Sequence, residues 1–164
     1  MAHIVVSEAM LTIACVIAVC VLSYALLSSV SSFQHYQILQ NRALSERSAT
    51  MIEVFFAVNI SSTNVKVWVK NIGGNEIRKA LIEKLDVIFG PRGNFRRIPY
   101  NAAGPPTWTY QIVNDVDGDG NWDFGETIEI TIVWDKTLEA GDYYVKVVTY
   151  NGISDHYWFS VGGG

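Results

Sequence analysis

Read from its amino end, the chain opens on apolar positions that a single charge, Glu8, interrupts before a long uncharged run begins. No Lys, Arg, Asp or Glu occurs between Ala9 and Asn41, and Ala9–Val30 reads AMLTIACVIAVCVLSYALLSSV. At about 1.5 Å of rise per residue, such a stretch crosses the ~30 Å hydrocarbon layer of a bilayer. A core helix keeps a polar face, and this one has none that is charged. A cleavable secretory segment is shorter and carries a basic flank. Beyond Val30 the helical spacing continues in Phe33, Tyr36, Leu39, Ala43 and Leu44, now with Gln34, Gln37, Asn41, Arg42 and Ser45 between them. No Pro or Gly precedes Gly73, so the pattern predicts one helix running to Arg47 or Thr50. Its first half suits lipid or a filament core, and its second half suits water with one sticky stripe. Helix-to-helix packing is expected through Glu8, Met10, Leu11, Ile13, Val16, Ile17, Leu22, Tyr24 and Leu27. Glu8 follows Ser7 and is expected in the first helical turn, where the positive helix end favours an acid.

After residue 50 the period changes from helical to alternating. Met51–Val58, Val65–Lys70, Leu85–Phe89, Phe95–Tyr100, Trp108–Val113, Thr127–Trp134, Tyr143–Tyr150 and Ile153–Val161 are the predicted strands, rich in β-branched and aromatic residues. Gly, Pro, Asn and Asp separate them, and Asn151-Gly152 predicts a two-residue hairpin. Eight short strands at this spacing predict a mainly β fold, an antiparallel sandwich of immunoglobulin-like kind following the long hydrophobic helix. Glu76–Lys84 allows a short helical excursion. The expected organisation is therefore residues 1–50 as a transmembrane or filament-core helix and 51–164 as an extracellular β-domain.

Charge sharpens that division. All 12 Lys and Arg lie at Arg42 or later, and every acid except Glu8 lies beyond residue 45. The net charge is −4, and five acids crowd into Asp115–Glu126; without them the balance is +1. The acidity is local. With no clustered basic run, nucleic acid is not an expected partner. The two cysteines, Cys15 and Cys20, fall inside the apolar helix on different faces, so they read as small apolar residues rather than a bridge.

The acidic stretch DVDGDGNWDFGE carries the chain's most specific chemistry. Counted from Asp115, polar ligands fall at positions one, three, five, seven and nine, with Gly120 at six and Glu126 at twelve, the spacing of an EF-hand calcium loop. Asp115, Asp117 and Asp119 would converge on one hard cation, Asn121 would offer its backbone carbonyl, Asp123 a direct or water-bridged oxygen, and Glu126 both carboxylate oxygens. Without a cation these acids repel one another. The flanks are strands, so a structural Ca²⁺ is expected rather than a sensor.

Other signals are weaker. Asn59-Ile60-Ser61 matches the glycosylation acceptor pattern. Arg92, Arg96 and Arg97 form a small basic patch that reads as a solvated hairpin edge. His3, His35 and His156 are scattered, no nucleophile–base arrangement is visible, and no enzymatic activity is expected.

The segments SEAMLTIACVIAVCVLSYALLSS, ALSERSATMIEV and VKVWVKNIGGNEI together resemble archaeal type IV pilin-like proteins, and more narrowly the archaellum accessory proteins F and G. The resemblance spans both parts of the chain. It implies a single N-terminal helix with a β-sandwich, and a periplasmic stator that links the motor to the S-layer. It also implies partners among archaellum or pilus subunits, self-association, and a place in the cell membrane with the β-domain outside or in a surface filament. Under it Glu8 would neutralise a neighbour's N-terminus. The basic leader usual in pilins has no counterpart in MAHIVVSEA, which favours the accessory reading over a filament-forming pilin or archaellin. A reading of another class is a membrane-tethered, calcium-dependent module for carbohydrate or cell wall, with a stacking platform drawn from Trp68, Trp108, Trp122, Trp134 and Tyr157, most of which are nevertheless expected in the core.

Overall fold

The computed structural model describes residues 2–162, with side chains described over residues 10–29 and 44–162. Helix α1 runs unbroken over Ala2–Ala49, as expected of a segment without Pro or Gly. Because it starts at Ala2, Glu8 lies beyond the first turn, which holds no acid; the capping expectation is thereby corrected, and the Glu8 side chain lies outside the described residues. Met10–Ser29 has a mean hydropathy of 2.6 and is exposed along its length. Twenty helical residues span about 30 Å, the thickness of a bilayer core.

Strands β1 (Ile52–Asn59), β2 (Asn64–Asn71), β3 (Asp86–Pro91), β4 (Arg96–Ile98), β5 (Thr107–Ile112), β6 (Thr127–Val133), β7 (Gly141–Val148) and β8 (Ser154–Val161) follow, with a one-turn helix α2 (Lys79–Ile82) between β2 and β3. They form two four-stranded sheets, ordered β1-β2-β6-β5 and β4-β3-β7-β8. Every pairing is antiparallel. Alternation is what makes the sandwich: Val65, Val67 and Val69 of β2 and Ile128, Ile130 and Ile132 of β6 are fully buried, as are Val87 and Phe89 of β3 and Val145 and Val147 of β7. Each such side chain contributes about 1.5–3 kcal/mol of burial. Phe89 fixes the aromatic centre, edge-on to Trp134 at 5.1 Å and stacked on Tyr143 at 5.7 Å.

The β7–β8 turn differs from expectation. Thr149 N–H donates to the Ile153 carbonyl at 2.7 Å, so the loop is three residues, Tyr150-Asn151-Gly152, rather than the Asn-Gly pair alone. Gly152 N–H closes a turn on the Thr149 carbonyl, a pattern three-residue hairpins favour. A long-range bond accompanies it: Asn151 Nδ2 donates to Thr50 Oγ1 at 2.8 Å, which ties the loop to the chain leaving α1.

The chain divides into two compact units, Met1–Leu44 and Ser45–Gly164. The last turn of α1 groups with the sheets because its open carbonyls are taken up there. Glu46 O accepts from Thr50 Oγ1 at 2.7 Å and from Asn75 Nδ2 at 2.8 Å, and Ala49 O accepts from Asn75 N at 3.2 Å. Unsatisfied carbonyls at a helix end are costly when buried, and this clamp supplies their donors.

Candidate functional site

The acidic loop fills the connection between β5 and β6, two strands of the same sheet. Gly120 has φ +74, the left-handed conformation a sharp turn at the sixth position requires. Asp115 organises the first half: its Oδ1 accepts from Gly118 N at 2.7 Å and its Oδ2 from Gly120 N at 3.1 Å. Asp117 Oδ1 accepts from Asp119 N, and Asp119 Oδ1 accepts from Asn121 N at 2.7 Å. Glu126 is only 3% exposed, and its two oxygens accept from Val116 N at 2.8 Å and Asp123 N at 3.0 Å.

These bonds aim carboxylates inward. Oxygens of Asp115, Asp117 and Glu126 lie within 4.8 Å of one another, and so do those of Asp117, Asp119 and Asp123. Two ligands on opposite sides of a Ca²⁺ ion are about 4.6–5.2 Å apart, given bonds of 2.3–2.6 Å. Asp117 is common to both groups, so each is of a size to hold one such ion and the two share a carboxylate. Burial, together with repulsion from Asp119, Asp117, Glu126 and Glu76, pushes the Asp123 carboxyl above its ordinary range. The side chain of Asn121 is occupied at both ends. Its Nδ2 donates to Asp119 and its Oδ1 accepts from Lys79 N at the start of α2, which leaves the backbone carbonyl as its available ligand.

The rear of the loop is bonded into the core. Trp122 is fully buried, exchanges two backbone bonds with Ile77, and donates its indole N–H to Glu126 O at 3.0 Å. Asn71, also fully buried, bonds the loop from below: its N–H donates to Glu126 O at 2.9 Å, its carbonyl accepts from Gly125 N at 2.8 Å, and its Nδ2 donates to Trp122 O at 2.8 Å. The same Nδ2 donates to Asn75 O, and Asn71 Oδ1 accepts from Gly73 N. One side chain thus joins the acidic loop to the segment that clamps the end of α1. Asn71 and Ile77 were absent from the expected site. A signal existed for Asn71, because Val65, Val67, Val69 and residue 71 share the inward parity of β2, and only the last is polar.

The expected helix residues are placed together on α1 and remain uncovered. Met10, Leu11, Ile13, Val16, Ile17, Leu22, Tyr24 and Leu27 are each at least 58% exposed, and Cys15 and Cys20 are free thiols. Asn59 ends β1 half-exposed, while the Ser61 hydroxyl of its triplet accepts from Asn64 N at 3.0 Å. The basic patch is neutralised: Arg92 pairs with Asp142, Arg96 with Asp135 and Arg97 with Asp86. Of the candidate stacking residues, Trp68 and Tyr157 are half-buried, and the other three are inside, as expected of most of them. Trp108, Trp122 and Trp134 are core residues.

Known proteins share this build. Residues 2–159 match the archaeal-type flagellin family. An uncharacterized protein of Archaeoglobus fulgidus is 28% identical over 165 residues, which cover 98% of this chain and 99% of that one. Among solved structures, the archaellum periplasmic stator protein FlaG from Sulfolobus acidocaldarius is 27% identical with a TM-score of 0.58, over 67% of this chain and 99% of that one. The stator protein complex of FlaF and FlaG from the same organism gives 27% identity and a TM-score of 0.57, over 66% of this chain and 87% of the other. Matched along nearly its whole length, the chain belongs to the archaeal-type flagellin family.

Proposed function

We propose that the chain is an archaellum accessory protein of the stator kind, held in the membrane by α1 with its β-domain outside. The observation that carries this reading is the likeness to FlaG, 27% identical over 99% of that chain. The exposed apolar stretch Met10–Ser29 supports anchoring, because about twenty such residues are stable only in lipid or against other helices. The FlaF–FlaG complex supports association with other archaellum subunits, and the S-layer is the outer contact in this reading. Its role is mechanical and structural rather than enzymatic.

The family match, which takes in α1, favours a second reading as a filament subunit whose helices pack in a core. Shearing cells and immunoblotting both fractions separates the two. A stator protein stays with the membranes, and its deletion abolishes swimming while filaments still form. Recovery along sheared filaments, with the first residues missing on N-terminal sequencing, would overturn the stator reading in favour of the subunit.

The acidic loop completes the proposal as a structural Ca²⁺ site held by Asp115, Asp117, Asp119, Asp123 and Glu126. The ion would neutralise the mutual repulsion that, after burial, raises Asp123, and β5 and β6 leave no helix pair to open. The full-length protein in detergent should melt higher in Ca²⁺ than in chelator. Identical melting curves would remove the metal from this account.

A further inference from the structure

The outer face of the β4-β3-β7-β8 sheet carries a feature that neither the calcium loop nor the anchoring helix uses. On β7, Tyr143, Val145 and Val147 point inward, so Tyr144 and Lys146 point outward. Register then sets two parallel rows across the strands. Trp158 of β8 lies opposite Tyr144, which lies opposite Gly90 of β3, with Phe95 beyond it. The neighbouring row is His156, Lys146, Ile88 and Arg97.

The first row is a file of aromatic rings. Phe95 and Tyr144 are 5.0 Å apart between ring centres, and Tyr144 and Trp158 are 4.8 Å apart. Both outer rings remain open, Phe95 at 47% and Trp158 at 46% exposure. Gly90 makes the file continuous. A Cβ at residue 90 would sit 2.3 Å from Asn94 O and 2.7 Å from Phe95 Cα, so no side chain can separate the rings of Phe95 and Tyr144. The file is one ring wide and bounded by polar groups on both sides. Lys146, Arg97 and His156 stand on one flank, and Asp142, hydrogen-bonded to Ser160 and paired with Arg92, on the other.

We propose that this face binds a saccharide chain that carries a carboxylate or other anionic substituent. A pyranose ring presents a patch of weakly positive C–H bonds on one face and hydroxyls around its rim. Aromatic faces carry the complementary negative quadrupole, and the flanking Asp142, Ser160 and His156 side chains are hydrogen-bonding partners for a hydroxyl rim. The rings are tilted by 43° and 53° to their neighbours, so the file suits a twisted soluble chain rather than a flat crystalline one. Charge selects the anionic class. Arg97 and Arg92 are held by Asp86 and Asp142, whereas Lys146 enters no ion pair among the described residues and stands beside Tyr144's row as the free cation. A nucleic acid strand would need several such cations in line. A protein partner would need a broader apolar core within its rim.

The test uses the full-length protein in detergent, with polygalacturonate and chondroitin sulfate as anionic probes and dextran and oligo-dT as controls. Affinity electrophoresis should show retardation by at least one anionic polymer and little by dextran or oligo-dT. Trp158→Ala and Phe95→Ala should each weaken binding about tenfold, the order expected for one lost ring contact, and Lys146→Gln should weaken anionic binding while abolishing its preference over dextran. Melting curves on the same variants establish that they fold. Retention of binding by a folded Trp158→Ala, Phe95→Ala double variant overturns the proposal, as does retardation by oligo-dT alone or by none of the polymers. Equal binding of dextran overturns the anionic assignment.

Discussion

Glu126 combines burial with two backbone donors that hold its oxygens in place, and in the proposed Ca²⁺ site it closes the inner side. Glu126→Ala or Asp115→Ala should therefore lower thermal stability in Ca²⁺ and abolish the response to chelator. At a hundredfold excess of ion over Kd the lost linkage is about 2.7 kcal/mol, or ~10 °C in the melting temperature of a domain of this size. Asn71→Ala should cost about 1–3 kcal/mol even in chelator, since Trp122 O and Asn75 O lose the Nδ2 donor. Calorimetry in both buffers distinguishes the two effects. At the other end of the sandwich, the Arg96 guanidinium hydrogen-bonds Asp135 and holds its carboxyl below the ordinary range. The stabilisation from that pair is present above the ordinary carboxylate pKa and is lost as pH falls through the lowered one. Arg96→Gln should shift the NMR titration of Asp135 upward, and an unmoved titration would refute the pairing. The acids were legible in sequence because their spacing is local. Asn71 showed only its inward parity on β2; its role did not show, because its loop partner Trp122 lies 51 residues away.

Helix α1 and the strands differ in how much of themselves they announce. A helix without Pro or Gly, and without charge from Ala9 to Asn41, is a one-dimensional signal, and Ala2–Ala49 extends it to within a turn of the predicted end. Ile17→Lys places a charge in the middle of the apolar stretch, at a cost of about 2.5–3.5 kcal/mol if it lies in lipid. It should move a measurable share of the protein from the carbonate-resistant membrane pellet into the supernatant. An unchanged distribution would argue against a spanning α1. The eight strands appear where alternation placed them, with no end shifted by more than two residues. The β7–β8 hairpin was the exception: its loop takes in Tyr150 as well, and Asn151 within it reaches Thr50, 101 residues away in sequence. Aromatic letters alone could not sort core from surface either. Trp122 lies inside and Trp158 outside, a difference set by sheet pairing and by which strand face meets the core.

The two units of the chain have opposite needs for solvent. Residues 45–164 bury their own apolar residues in one core, whereas Met10–Ser29 buries none. A fragment beginning at Ser45 should be monomeric in water and retain the calcium-dependent melting shift, while the complete chain should need detergent. Gel filtration of both checks this, and a complete chain that is monomeric in plain buffer would refute it. The greasy rod, the alternating strands and the spaced acids follow from hydrophobic periodicity and ligand spacing, both properties of neighbouring residues. Tertiary structure alone decided that Asn71 ties the loop to the helix clamp, that the arginines around Pro91 are neutralised, and that Phe95, Tyr144 and Trp158 stand in file. The physical reason is that strand register and sheet packing bring residues together across gaps that no local pattern encodes.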